Sequence, residues 1–329
     1  LADDDFRYFE IDTYRDAAIA ADPVLSAQSD AAIALLYALQ TGEMPASQVF
    51  DVVQYGRFLA LVDLWGATEA TSLINLSFYY DAATGKLEPV AFSANPLGGT
   101  GRVSLAATYD DPQIQAAYAR EAVRISDPSY LETLRKELEP ALEQVRREVG
   151  ASARTSESLW ERLTERQGLM RRSLDPVDPV FAYLETPASP PYDALHVDVG
   201  NALNLPLEVL GFDINGATFI ETDRAWIVEQ SAASVPSAVL SSDSVPGAAA
   251  PVLRAHNSAR GSTIRYVRFN VPLTAIHAVD REMDFNRALD LRIAVRILGA
   301  EQTRLVPIRS GPTAPFTGVP TSPPEGGPN

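Results

Sequence analysis

The spacing of apolar residues changes along this chain, and each change predicts a different kind of structure. Ala31–Leu39 (AAIALLYAL) is helical in composition, and Gly42 is placed to end that helix. Phe50–Trp65 (FDVVQYGRFLALVDLW) is apolar on nearly every side, which predicts a buried helix stopping at Gly66. Asp51 is placed to cap its start, and Asp63 stands out as a carboxylate on an otherwise apolar surface. Ser72–Tyr80 is rich in aromatic and β-branched residues, Asp81–Gly85 is a turn, and Lys86–Phe92 returns. This reads as a β-hairpin set into a helical region, with Phe78, Tyr79 and Tyr80 as packing residues and Lys86 as a solvated turn residue. Asn95–Gly101 (NPLGGTG) reads as loop.

Asp111–Leu174 is strongly helical. Ser129–Glu132 has the form of a capping box, and Leu131, Leu134, Leu138, Leu142, Val145 and Val149 follow at spacings of three and four. Glu132–Lys136 and Glu143–Arg147 are i,i+4 pairs in the favourable order. Ser158–Glu161 opens a further helix, and Trp65 and Trp160 read as helix anchors. At Asp175–Pro179 (DPVDP) the helical period stops. Ala194–Val199 alternates, and Leu205–Ile214, Ser262–Pro272 and Leu289–Ile308 continue as short strands spaced by turns, the pattern of a β-sandwich. The expected fold class is α+β: a mostly helical domain over residues 1–175, a β-sandwich over 176–310, and a Pro/Gly-rich tail or linker over 311–329.

Composition narrows the functions. Among 329 residues there are 27 Lys+Arg against 43 Asp+Glu, a net charge of -16. That argues against a nucleic-acid binder held by a basic face, and against polybasic attachment to an anionic membrane. No Cys is present, which removes disulfides, thiolate nucleophiles and Cys-ligated metals. The basic residues are almost all Arg, the only lysines being Lys86 and Lys136. The three histidines, His196, His256 and His277, all lie in the second half and stand apart in sequence, so the first half has no imidazole for acid–base work. The longest apolar stretch is far short of the ~20 residues a membrane helix needs. The chain opens LADDDFRYFEIDTY, without a basic start or signal-type core, and reads as an excerpt of a longer protein.

No GxxxxGK[ST], GxSxG or HExxH is present, and Gly98–Gly101 precedes no clear helix. The informative stretch is Val49–Pro96: the FDVV…LALVDLWGA helix, a polar turn, Asn75 with Phe78-Tyr79-Tyr80, a turn, and then TGKLEPVAF. In this order the elements resemble the CotH family, the spore-coat type of atypical, protein-kinase-like enzymes. The downstream helices and the NALNLPLEVLGFDI segment are similar to that family's later helices and to Ig-like strands that follow its kinase-like region.

The resemblance implies a kinase C-lobe-like domain, ATP with Mg²⁺ or Mn²⁺ in the full-length protein, and an extracytoplasmic or cell-envelope setting. In kinase-like sites a catalytic-loop acid orients the acceptor hydroxyl, while an Asn and a second acid hold the metal against the phosphates. The resemblance places Glu69 and Asn75 as the catalytic pair, Asn75 and Ser93 as metal-holding positions, and Ser93 and Asn95 beside the cofactor. Ser93 stands where an Asp is expected, and a neutral hydroxyl binds a hard divalent cation far less well than a carboxylate. The nucleotide-cradling N-lobe is missing from this stretch.

Three functions follow as expectations. The first is a degenerate kinase-like protein, a pseudokinase or surface module. The second is an active kinase acting on Ser/Thr of a surface protein. The third is a non-catalytic envelope protein whose β-sandwich contacts glycan or protein. Read without the resemblance, Asn75 is a loop residue bonded to backbone.

Overall fold

The computed structural model describes residues 9–72, 74–92, 111–149, 155–185, 193–228, 238–241, 245, 248, 250–256, 264–281 and 289–310. The fold is mixed α+β, and the chain divides into two compact units, Leu1–Leu174 and Asp175–Asn329.

In the first unit, α1 (Asp16–Ala20) and α2 (Pro23–Thr41) lead into a short α3 (Ala46–Val49) and the buried α4 (Val52–Trp65). Asp22 caps α2, and Gly42 ends it in the left-handed conformation at φ 77°. A hairpin follows, with β1 (Ser77–Asp81) antiparallel to β2 (Lys86–Val90). Among the described residues, α5 (Pro112–Ser126), α6 (Pro128–Val149) and α7 (Thr155–Leu174) follow. Asp111 serves two helices at once. Its Oδ1 accepts from the Gln113 and Ile114 amides to cap α5, and its Oδ2 accepts from the Ser47 amide at the start of α3 (2.7 Å).

The core forms where α4 meets α5. Leu59, Leu64, Ile114 and Ile125 are fully buried there, and Phe50, Tyr55 and Phe78 stack beside them. Gly56 sets the approach: a Cβ at this position would lie 2.5 Å from Ala117 Cβ and 2.6 Å from its backbone carbon.

Helix α7 closes this unit by capping its neighbours' C-termini. Arg166 donates to the Asp63 and Leu64 carbonyls at the end of α4 (2.7–3.1 Å). Gln167 donates to the Ile125 and Asp127 carbonyls, and Arg171 to that of Ser126, at the end of α5. These bonds serve carbonyls at helix ends, two of which, those of Asp63 and Asp127, also accept from the Gly66 and Tyr130 amides.

Three local expectations change. Asp127, one residue before α6, accepts from the Ser129 amide and hydroxyl, so Asp127 rather than Ser129 is the capping residue. The apolar stripe of α6 is covered only at its beginning, with Leu131 buried and Leu138 and Val145 exposed. The strand of the hairpin starts at Ser77, because the Asn75 and Leu76 amides are held in a turn by the Ser72 carbonyl.

The described residues of the second unit form two five-stranded sheets. The first runs β12 (Arg309–Ser310), β3 (Val180–Glu185), β4 (Ala194–Asn201), β9 (Tyr266–Pro272), β7 (Ile227–Val228). The second runs β11 (Thr303–Pro307), β10 (Leu291–Ile297), β5 (Leu207–Ile214), β6 (Thr218–Glu221), with β8 (Val252–Leu253) pairing β5. A short α8 (Leu273–Val279) follows β9. Alternation sends Val197, Val199, Val267 and Phe269 of one sheet, and Phe212, Ile214, Ile293 and Val295 of the other, into buried positions. The Phe212 and Phe269 rings meet edge to face at 5.8 Å, joining the two sheets through their apolar sides. Asn215-Gly216 turns β5 into β6 with positive φ at both residues, and the Asn215 side chain accepts from the Asp290 amide (3.0 Å).

Candidate functional site

The turn between α4 and the hairpin carries Glu69 and Asn75. Helix α4 is fixed at both ends. Asp51 Oδ1 caps its start by accepting from the Gln54 amide (2.9 Å), and the Asp51 amide donates to Leu87 O of β2 (3.0 Å). Gly66 ends it at φ 62°, with the Arg166 guanidinium packed against it. Directly after comes a single 3-10 turn, Thr68–Thr71.

The Glu69 carbonyl is the focus of this turn. It accepts from the Ser72 amide (3.1 Å), the Ser72 hydroxyl (2.8 Å) and the Asn75 side-chain amide (3.1 Å). The Asn75 and Leu76 amides in turn donate to Ser72 O (2.9 Å each). Asn75 and Glu69 are therefore brought together, but through a backbone carbonyl. The Glu69 side chain is exposed and makes no hydrogen bond or ion pair among the described residues. Asn75 is half-buried, with its Nδ2 committed to the loop. Ser93 and Asn95 lie outside the described residues.

Behind the turn, Asp63 is 5% exposed. Its Oδ2 accepts from the Tyr118 hydroxyl (2.8 Å), and its Oδ1 lies 4.0 Å from Arg166 Nη2. It is a buried, paired carboxylate. The sequence leaves open whether Asp63 is buried and paired or turned to solvent at the helix end, because its partners come from positions 55 and 103 residues away. No local pattern marks such a contact; a lone acid on an apolar helix is the one available signal.

Lys86 is not the solvated residue its turn position suggested. Its ammonium donates to the Ser47 carbonyl (3.4 Å) and to that of Gln48, pinning the hairpin to α3. Tyr79 also differs from expectation: its ring is largely exposed, whereas Phe78 packs on Phe50. In the hairpin turn, the Ala83 amide and then the Thr84 hydroxyl hold the Asp81 carboxyl below its ordinary range.

The second unit has its own polar cluster. Arg268 grips Asp198, which is 0% exposed, with Nε and Nη2 (2.8 and 2.9 Å), and reaches Glu185 with Nη1 (2.6 Å). His196 Nδ1 lies 3.4 Å from the same Glu185 oxygen. His256 is held below the ordinary imidazole range by burial. Among the described residues no group of three His, Asp or Glu side chains is placed to hold a metal, and no helix is long and apolar enough to cross a membrane.

Chemically, the described part of the turn offers one exposed carboxylate, Glu69, and one half-buried side-chain amide, Asn75, whose Nδ2 is used in the loop. A hard divalent cation wants several oxygen ligands, carboxylates foremost; the described residues of this turn supply one carboxylate toward that number. Comparison of the chain with protein-family models, with curated proteins and with solved structures finds no match.

Proposed function

We propose that the first unit is a kinase C-lobe-like module of CotH type that has lost phosphotransfer, and that it works as a non-catalytic, pseudokinase-like part of a cell-envelope protein. The second unit, on this reading, is an Ig-like β-sandwich. The observation that carries the proposal is the turn itself. A buried helix, a tight turn that joins Glu69 to Asn75, and a hairpin follow one another in the order that positions a kinase catalytic loop. The Asn75 Nδ2 donates to the Glu69 carbonyl, which orients the side chain and leaves its Oδ1 outside that bond. A catalytic Asn must present its oxygen to a metal beside a second acid, and the residue at that acid's position is Ser93.

The acidic, Lys-poor composition suits an extracytoplasmic setting. Fractionation that found the native protein only in the cytosol would remove that part of the reading.

Titration calorimetry tests the rest. The full chain is titrated with ATP in the presence of Mg²⁺ and then Mn²⁺, beside Ser93→Asp. The expected result is no binding by the native sequence and measurable binding by Ser93→Asp, the mark of a kinase-like site disabled at its metal position. Metal-dependent ATP binding by both, with phosphate transferred to an acceptor protein, would reverse the proposal in favour of an active kinase. Binding by neither would remove the kinase-like reading.

A further inference from the structure

The two faces of the β11-β10-β5-β6 sheet differ in character. One is the apolar side that carries Phe212. The other carries Asp213, Gly211 and Glu208 of β5, with Arg292 and Arg296 across on β10 and Phe219 and Glu221 on β6. We propose that this second face is a docking surface for a basic segment of a protein partner. One Lys or Arg side chain would lie over the Phe219 ring with its cationic head at Asp213. The proposal concerns the second unit alone and stands or falls separately from the kinase-like reading of the first.

Three observations converge. Phe219 is 45% exposed, and it lies flat enough over β5 that a Cβ on Gly211 would come within 2.5 Å of its Cζ. An aromatic face presented in this way attracts cations. Its direct cross-strand partner is Asp213, which is 9% exposed and whose Oδ2 is buried without a hydrogen-bond partner. A buried carboxylate oxygen without a donor is costly, and a ligand that brings a donor recovers that cost.

The third observation is charge. Both arginines of this face are already engaged, Arg292 with Asp290 (2.6 Å) and Arg296 with Glu208 (2.8 Å). Asp213 makes no ion pair of this kind among the described residues, although its charge reaches Arg292 directly across the strand, and Glu221, exposed on the same side as Phe219, makes none there either. The face therefore holds excess negative charge beside an exposed ring, on a chain of net charge -16. A neutral sugar would satisfy the ring and the oxygen but not the charge, so a cation is the better occupant.

The test is titration of the full chain with a fluorescent hexalysine peptide at physiological salt, beside hexaglutamate and a neutral glucan hexamer. Phe219→Ala should weaken hexalysine binding about fivefold, and Asp213→Asn about tenfold. Glu43→Gln removes one exposed acid from the other unit and should leave binding unchanged. Equal small losses in Asp213→Asn and Glu43→Gln, with none in Phe219→Ala, would mean delocalised attraction to an acidic protein and overturn the proposal. Binding of the glucan in place of hexalysine, lost in Phe219→Ala, would also overturn it. Phe219 is a surface ring, so this variant keeps the test decisive if Asp213→Asn folds poorly.

Discussion

The two units use arginine for opposite purposes. In the helical unit, Arg166 and Arg171 point at the carbonyls that end α4 and α5. In the β unit, Arg268 and Arg296 reach across neighbouring strands to buried carboxylates. A helix end presents convergent carbonyls and a partial negative charge, so a guanidinium there needs no acid. A sheet interior spends its carbonyls on the ladder, so a buried arginine must find an acidic side chain opposite. Lysine, with one compact ammonium, matches neither geometry as well as the planar fork does. The near absence of Lys fits the base composition of a GC-rich genome, but at these positions it also has a structural consequence.

The strongest way to break this comparison is Arg268→Ala. It strands Asp198, which is 0% exposed, without its bidentate partner, and should cost about 3–5 kcal/mol. Urea unfolding followed through Trp226, the tryptophan of the second unit, reads it. A loss below about 1 kcal/mol, the scale of a surface pair, would mean that Asp198 is not held by this pair. Arg166→Ala comes next. It frees the Asp63 and Leu64 carbonyls and removes a cation from beside the Asp63 carboxylate, for a cost of about 1–3 kcal/mol. Here the transition of the first unit should move and that of the second should not. Lysine at each position sharpens the contrast. Arg166→Lys keeps charge near the helix end and should recover part of the loss. Arg268→Lys loses the two-pronged grip and should recover less.

These contacts also mark where sequence reading stops. The α4 helix, its Asp51 cap and its Gly66 terminator were legible because caps and apolar periods are local. So was the hairpin, whose turn residues lie between two aromatic-rich or branched runs. Helix α6 was legible in existence but not in packing: a three-four stripe says which side is apolar, not whether anything covers Leu138 and Val145. Asp63, Tyr118 and Arg166 form one cluster from three helices, and nothing in their neighbourhoods ties them together. The turn at Glu69 was visible as a polar gap. That its carbonyl would gather three donors, and so take up the Asn75 amide, depends on the path of the chain rather than on residue type.

Titration separates the units from opposite ends of the pH scale, with smaller effects. In the β unit, burial and then the neighbouring Tyr183 push the Tyr266 hydroxyl up to about 12. An unfolded tyrosine ionises near pH ~10. Between these values the unfolded chain has released a proton that the folded chain still holds, so stability falls as pH rises through that window and is unaffected below it. Absorbance titration near 295 nm should show a late-ionising tyrosine component. Tyr266→Phe should remove that component and flatten the alkaline loss of the second unit.

The helical unit gives the smallest effect, at the acid end. A hydrogen bond from Arg124, opposed by burial and aided by the charges of Arg124 and Arg57, holds the Glu121 carboxyl below its ordinary range. The native state therefore prefers the ionised form more than the unfolded chain does. The resulting stability is fully present above the ordinary Glu range, near ~4.3, and drains away as pH falls through the depressed native value. Arg124 and Arg57 are both about half exposed, so solvent screens the contribution to the few tenths of a kcal/mol typical of a surface pair. Glu121→Gln should lower the midpoint of the first unit slightly at pH 7 and not at all near pH 3. An equal deficit at both pH values would show that Glu121 acts through its packing on α5 and not through its charge.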